Sequence, residues 1–308
     1  MRKIFPLILL VLASCQKEKK YLTEYVNPFI GTGGHGHTYP GASAPFGMMQ
    51  LSPDSRLEGW DGCGGYHYSD SILYGFSHTH LSGTGVSDYG DVLLMPTTGE
   101  LLLTNGANGN PGYSSKFSHE NETAQAGFYQ VFLEDYSVNV ELTTSQRAGF
   151  HKYTFTKNSL AQVVLDLEHR DKLLDYKIES LDSNSIQGIR YSDNWARKQK
   201  VHFYIQFSKS FEDIKFNKKR SIAGISFGKL EEPLLIKVGI SAISNKGAKE
   251  NLQTEIPHWD FEKTKTETNE LWEKELNKIL VEDKSEIKKE IFYTALYHSL
   301  LNPNLYVD

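Results

Sequence analysis

Residues 59–85 combine side chains suited to binding a polar ligand with a permissive backbone. The segment reads GWDGCGGYHYSDSILYGFSHTHLSGTG, with seven glycines, five aromatic residues and three histidines but no lysine or arginine. Glycine weakens strand interiors and marks bulges or close backbone approach, and a disordered linker would lack the aromatic rings. The composition predicts a pocket for a small polar ligand. The alternative is an aromatic core with glycine at its bulges.

A sugar is the ligand that this mixture fits best. The rings available to stack on the apolar face of a pyranose are Trp60, Tyr66 and Tyr68. The groups available to bond its hydroxyls, which need partners once buried, are Asp61, His67, His78 and His80.

Histidines concentrate in the same region and raise the alternative of a metal-dependent hydrolase. Five of the eleven lie between residues 35 and 80, including the pairs His35-x-His37 and His78-x-His80. On a strand, residues i and i+2 point to one face, so each pair would offer two nitrogens to zinc or iron. The pattern has low specificity by itself, and histidines that line a pocket through hydrogen bonds are the favoured interpretation.

A second polar cluster follows a run of apolar residues at 162–167. It contains Asp166, Glu168, His169, Arg170 and Asp171. Paired carboxylates can perform acid/base chemistry, but we expect a solvated strand end.

The elements that position these residues are mainly strands. Between residues 21 and 245, short runs of alternating apolar and polar residues are bounded by Gly, Asn, Asp or Ser, which indicates strands with one solvated face. The clearest runs are 91–95, 128–133, 137–142, 162–167, 201–207 and 234–240. No long helical periodicity interrupts them, so the pattern predicts a large antiparallel β-sandwich.

Two amphipathic helices are predicted after residue 258. TKTE at 264–267 is typical of a capping box, and DKSE at 283–286 opens a second helix with an apolar stripe from Ile287 to Leu300. We expect these stripes to be exposed and the chain to be a truncated form of a longer protein.

The first twenty residues predict export. Arg2 and Lys3 precede an apolar run that is too short to span a bilayer. Leu12-Ala13-Ser14-Cys15 then resembles a bacterial lipoprotein processing box, in which Cys15 becomes lipidated; the alternative is an ordinary signal peptide. The expected location is the bacterial cell envelope, with membrane attachment through Cys15.

Composition narrows the remaining possibilities. A net charge of −5 over 308 residues argues against nucleic acid as the main partner, because phosphate binding needs a clustered basic excess. Cys63 is the one cysteine left after Cys15, so no intrachain disulfide is expected. Its thiol is either a ligand contact or a small buried side chain.

Long stretches of the sequence match a known family. They are EYVNPFIGTGGHGHTYPGASAPFGMMQLSPD (24–54), the segment 59–85, DYGDVLLMP (88–96) and FYTALYHSLLNPNLYVD (292–308). The first three resemble the N-terminal domain of glycoside hydrolase family 92, the calcium-dependent α-mannosidases, and the last is similar to the opening of its helical domain. The resemblance implies a mainly β fold: a sandwich domain over 21–257, then two linker helices and the start of an α/α barrel over 258–308.

The resemblance also implies a reaction. Family members remove terminal α-linked mannose from glycoproteins or mannans with inversion, assisted by Ca²⁺. Inversion needs two carboxyls about 6.5–9.5 Å apart, and the resemblance puts these, with most calcium ligands, in the helical domain beyond Asp308. We therefore expect no catalytic residue here, an inactive chain, and a downstream domain or split partner chain. The alternative is a non-catalytic lipoprotein that binds glycans.

The resemblance assigns Trp60 to stacking on the sugar near the leaving group. Further contacts expected from the same two blocks of sequence are Asp61, Cys63, His78, His80, Gly34 and His35. The expected ligands are α-mannose-containing glycans.

Overall fold

The computed structural model describes residues 21–308, so the segment that contains Leu12–Cys15 lies outside the described residues. The strands are β1 (Ala42–Ser43), β2 (Gln50–Asp54), β3 (Ile72–Leu73), β4 (Gly75–Ser77), β5 (Leu93–Thr97), β6 (Ser115–Lys116), β7 (Glu122–Gln125), β8 (Phe128–Leu133), β9 (Val138–Thr144), β10 (Ala148–Phe155), β11 (Leu160–Asp166), β12 (Lys172–Ser180), β13 (Ser185–Asp193), β14 (Gln199–Phe207), β15 (Asp213–Phe216), β16 (Ile222–Lys229) and β17 (Leu234–Ser241). The α-helices are α1 (Asn245–Glu255), α2 (Phe261–Leu276) and α3 (Glu286–Ser299), and short 3₁₀ helices cover Leu22–Tyr25, Trp60–Gly62 and His119–Asn121.

Two large antiparallel sheets form the sandwich, which confirms the predicted fold class. One sheet has the strand order β1-β2-β4-β5-β11-β16-β15, and the other has β12-β13-β14-β17-β10-β9-β8-β7. Alternation along the strands sends apolar residues between the sheets: in β9, Val138, Val140 and Leu142 are fully buried, and residues between them are partly exposed. They meet Val163 and Leu165 of the opposite sheet in one continuous core.

Helix α1 was missed from the sequence and covers the outer face of the second sheet. Its Ala248 and Leu252 pack with Phe150 of β10 and Tyr204 of β14. The helix begins at Ser244, whose side chain accepts a hydrogen bond from the backbone N–H of Gly247.

The predicted capping box at 264–267 is wrong. Helix α2 begins one turn earlier, because the Asp260 side chain accepts a hydrogen bond from Lys263 N–H. Thr264 lies inside the helix and is buried. The Trp272 indole on the same face is fully buried and donates from Nε1 to the Ser43 carbonyl at 2.7 Å.

Helix α3 is capped by Ser285, inside the predicted cap, and one part of the predicted stripe packs: Phe292 and Leu296 are partly buried against the cluster around Trp272. Tyr293 and Tyr297 are buried beside Trp272, whereas Ile287 and Ile291 are exposed. The expected exposure of the helix stripes therefore holds for Ile287 and Ile291 of α3, and it is wrong for the apolar side of α2, where Trp272 and Leu276 are fully buried.

A search of the described residues finds no helix long and apolar enough to cross a membrane.

Candidate functional site

A glycine-rich turn at residues 31–38 forms the first wall of the site. Gly31, Gly34 and His37 all have positive φ, and the Thr38 N–H closes the turn on the Gly31 carbonyl at 3.3 Å. A Cβ at Gly36 would overlap the Gly31 carbonyl group, so this position requires glycine. His35 and His37 both lie in this turn rather than in a strand, and His78 and His80 also lie outside the strands. The prediction that each pair lies on a strand is therefore wrong.

The short helix Trp60–Gly62 forms the second wall. It follows Gly59, which has a φ of 90°, and the Gly65 N–H bonds back to the Gly62 carbonyl at 2.9 Å. A Cβ at Gly64 would lie 3.1 Å from the Thr38 carbonyl oxygen, so the two walls are in close backbone contact. This contact brings Asp61 to the histidines of the first turn.

Where the two walls meet, the side chains of His35, His37 and Asp61 lie beside the exposed Trp60 ring. His35 Nδ1 lies 2.6 Å from Asp61 Oδ1, and His37 Nε2 lies 3.5 Å from the same oxygen. The hydrogen bond with His35 lowers the pKa of Asp61, so the carboxylate is ionised at neutral pH. The Trp60 ring packs edge-on against His37 with centroids 5.0 Å apart, yet 62% of Trp60 is exposed.

A third segment, residues 81–90, supports both walls. The Gly83 N–H donates to the His37 carbonyl at 2.8 Å. Gly85 lies directly against the six-membered ring of Trp60, where a Cβ would come within 2.5 Å of Cζ3. Trp60 is therefore held between Gly85 and His37 although most of its surface faces solvent.

Cys63 lies beneath the junction rather than at its surface. The residue is buried, its thiol donates to the Trp60 carbonyl, and burial raises its pKa. Gly34 exposes an open Cα, because a Cβ there would have no neighbour within 4 Å. Its carbonyl is 3.1 Å from His67 Nε2, which fixes the turn.

His78 and His80 are buried inside the sandwich. His78 Nδ1 lies at the Val92 carbonyl, and its Nε2 is 2.9 Å from His151 Nε2; burial lowers the pKa of His78 to about 4. His80 Nδ1 is 2.8 Å from the Gln50 carbonyl. The structure therefore does not bring these two residues to the junction with His35, Trp60 and Asp61.

The polar cluster at 166–171 is not a solvated strand end, which corrects that expectation. Asp166, His169 and Arg170 are buried, and Arg170 donates to the Gly62 carbonyl at 3.0 Å and to the Ser87 hydroxyl. The guanidinium thus ties the Trp60 helix to the 81–90 segment. Sequence reasoning missed this role because the partners are far apart in the chain.

Asp54 anchors that guanidinium from below. It lies 3.9 Å from Arg170 Nη1, 3.4 Å from His169 Nε2 and 3.3 Å from His80 Nε2. Burial alone would raise the pKa of Asp54, but His80 and His169 outweigh it and lower that pKa well below its ordinary value. This buried carboxylate therefore contacts His80, His169 and Arg170 together beneath the site.

Within the described residues, the group with metal-ligand geometry is His35, His37 and Asp61, whose ligand atoms all lie within 4.8 Å of one another. Calcium takes six to eight oxygen ligands. Two imidazole nitrogens and one carboxylate oxygen do not fit the calcium ion that the family resemblance implies.

Comparison with known sequences decides the family. The Glycosyl hydrolase family 92 N-terminal domain matches residues 25–241, and the Glycosyl hydrolase family 92 catalytic domain matches residues 247–308. The chain belongs to glycosyl hydrolase family 92. The predicted family is thereby confirmed.

Solved family 92 structures share the fold. A family 92 α-mannosidase of Bacteroides thetaiotaomicron is 36% identical with a TM-score of 0.87, over 94% of this chain and 42% of that enzyme. It has also been solved with mannoimidazole. A family 92 inverting mannosidase of B. thetaiotaomicron VPI-5482 is 26% identical with a TM-score of 0.81, over 93% of this chain and 40% of that chain.

A curated relative carries a coarser description. The "Uncharacterized secreted glycosidase" of Arthroderma benhamiae is 27% identical over 92% of this family 92 chain and 42% of its own length. The chain therefore spans less than half the length of the relatives that it matches.

Proposed function

We propose that this family 92 chain forms the sugar-binding half of an exo-acting, inverting α-mannosidase that releases terminal mannose from glycoproteins or mannans. The observation that carries the proposal is the Trp60 indole, which is 62% exposed although it packs between Gly85 and His37. An aromatic face beside polar groups suits a pyranose, which has an apolar face and hydroxyls at its rim.

Polar groups next to Trp60 complete the proposed contact. The ionised Asp61 carboxylate has lone pairs that accept hydrogen bonds from sugar hydroxyls. His35 is 80% exposed in its side chain and lies on the same rim. The open Cα of Gly34 allows a ligand to approach the backbone closely.

The predicted contacts Cys63, His78 and His80 are buried and lie away from the exposed rim. Cys63 lies under the Trp60 helix, and His80 contacts Asp54, which contacts Arg170. His78 bonds across the core to His151. We propose that these residues hold the rim in place rather than touch the sugar.

We propose that residues 21–257 form the sandwich unit and residues 258–308 the start of the helical unit. The packing of α1 on the second sheet supports including α1 in the sandwich unit. We propose that the helical unit of the complete protein carries the catalytic carboxylates and the Ca²⁺ ligands. Loss of mannose release after chelation, with recovery on adding Ca²⁺, would support the calcium requirement, and activity that survives chelation would oppose it.

We also propose that the protein is exported and held in the cell envelope by a lipid on Cys15. The expected result for Cys15→Ser is a protein released from the membrane fraction. Retention of that variant in the membrane fraction would contradict the anchor.

The sugar contact is tested with two tryptophans of similar exposure. Trp60→Ala should weaken binding of mannoimidazole in calorimetry, because it removes the stacking surface. Trp195→Ala is the control, since Trp195 is 68% exposed but lies in the β13–β14 connection. Equal affinities of the two variants would contradict the assignment of Trp60 to the sugar contact. If the complete protein binds glycans without hydrolysing them, the non-catalytic alternative is favoured.

A further inference from the structure

Three side chains on the exposed rim of the site converge as a ligand set for a transition metal. They are His35 through Nδ1, His37 through Nε2 and Asp61 through an Oδ atom, all within 4.8 Å of one another. We propose that they form a binding site for a divalent transition metal of the zinc type. The site shares His35 and Asp61 with the proposed sugar contacts, but metal binding does not depend on their binding a sugar.

The two separations from Asp61 Oδ1 can be compared with those between ligands of a tetrahedral site. Zinc binds nitrogen and oxygen at about 2.0–2.1 Å, which separates tetrahedral ligands by roughly 3.3 Å. The 3.5 Å between His37 Nε2 and Asp61 Oδ1 already fits this spacing. His35 Nδ1 lies 2.6 Å from Asp61 Oδ1 and has to withdraw by roughly 0.7 Å. Because the His35 side chain is 80% exposed, that movement meets little resistance.

His37 supplies an independent indication. Its side chain is only 8% exposed, and Nε2 makes no hydrogen bond within the described residues. Buried polar atoms are usually paired, so an unpaired one needs an explanation. This nitrogen faces Asp61 Oδ1 at 3.5 Å, and a metal ion between the two atoms would accept its lone pair.

The backbone holds His37 in this orientation. The residue has a φ of 56°, in the left-handed region that non-glycine residues seldom adopt. Hydrogen bonds of Thr38 N–H to Gly31 and of Gly83 N–H to the His37 carbonyl fix that conformation. Strained residues that are held in this way cluster at ligand sites. The Trp60 ring, 5.0 Å from the His37 ring, covers one side of the imidazole.

The donor set selects the metal. Imidazole suits zinc, copper, iron and nickel, whereas calcium and magnesium prefer all-oxygen sites. His67 is not a fourth ligand, because its Nδ1 and Nε2 lie at hydrogen-bonding distance from Ser69 Oγ and the Gly34 carbonyl. Three protein ligands leave one position for water or another oxygen donor, the arrangement of zinc sites that remain open.

The test uses the purified chain after chelator treatment, with ZnCl₂ in calorimetry and CoCl₂ in absorption spectroscopy. We expect one equivalent of Zn²⁺ to bind and Co²⁺ to give the intense visible bands of a tetrahedral ion. Changing an outer partner of a metal ligand already costs about 10–100-fold in affinity. His37→Ala and Asp61→Asn should therefore each weaken Zn²⁺ binding by at least about 100-fold.

His258→Ala is the matched control, because His258 also lies beside a carboxylate, 4.0 Å from Glu267, but outside this rim. It should leave Zn²⁺ binding unchanged. Circular dichroism checks that each variant is folded. If His37→Ala fails to fold, the Co²⁺ spectrum of the unaltered chain still tests the proposal. Absence of a tetrahedral Co²⁺ spectrum, or equal Zn²⁺ affinity of Asp61→Asn and the unaltered chain, would overturn the proposal.

Trp60→Ala separates this site from the sugar contact. The substitution removes the stacking surface and keeps all three ligands, so it should lower mannoside affinity and retain one bound Zn²⁺. Loss of Zn²⁺ from a folded Trp60→Ala protein would contradict the assigned ligand set, whereas unchanged mannoside affinity would count against the proposed function alone.

Discussion

A single methyl group at residue 85 should disable the sugar contact without unfolding the protein. Gly85 adopts a backbone conformation open to alanine, but its Cβ would lie 2.5 Å from Trp60 Cζ3, 2.7 Å from Cζ2 and closer still to Cη2. Ordinary carbon contacts need about 3.5–4.0 Å. In Gly85→Ala the ring therefore has to move by about 1 Å or more.

The magnitude follows from the exposure of Trp60. Because 62% of the residue faces solvent, the ring can swing away, and we expect the free energy of unfolding to change by less than about 1 kcal/mol. Burial of an aromatic side chain is worth about 1.5–3 kcal/mol. Loss of the stacked position should therefore weaken mannoside binding by roughly 10- to 100-fold.

The affinity for mannoimidazole is measured by calorimetry on the complete protein purified from its native cells. The melting temperature of each variant is measured in parallel. Gly33→Ala is the control, because a Cβ at Gly33 would make an ordinary contact of 3.7 Å with Tyr68. Equal affinities of Gly85→Ala and Gly33→Ala would refute the role given to the position of Trp60.

Two further predictions concern stability. Trp272→Ala should lower the free energy of unfolding by about 3–5 kcal/mol, because the indole is fully buried and bonds to the Ser43 carbonyl; a loss below about 1 kcal/mol in urea denaturation would oppose this. Burial, with a smaller effect from Asp88, raises the pKa of Asp171 from 3.8 to about 7. The unfolded chain loses this proton near pH 3.8 and the folded chain near pH 7, so the contribution to stability is fully present below about pH 4 and is lost as pH rises from there through about 7. The urea midpoint of the natural protein should therefore fall relative to that of Asp171→Asn between about pH 4 and 7, and parallel curves would contradict the shift.

The strands were predictable because their signal is local. Alternation located β8 at Phe128–Leu133 and placed β14 and β17 within two residues of their observed ends. Helix α1 has no such signal: its sequence NKGAKENLQTE carries a glycine in its first turn and few apolar residues, and the sheet beneath it provides the packing. The start of α2 was misplaced because Asp260 and Thr264 are both capable caps, and tertiary burial of Thr264 decides between them.

The site was predictable only in part. Family motifs pointed to Trp60, Asp61 and His35, which do meet at one rim. The burial of His78 beside His151 and the bond from Arg170 to Gly62 join segments more than seventy residues apart. No local pattern encodes such pairings, since they arise when the sheets pack together.

The most direct test of the account is the anomer that the complete protein releases first from an α-mannoside, followed by proton NMR during hydrolysis. Inverting catalysis predicts β-mannose as the first product, with α-mannose appearing later through mutarotation. Release of α-mannose first, or no release of mannose at all, would contradict the proposal that this chain is part of an inverting α-mannosidase.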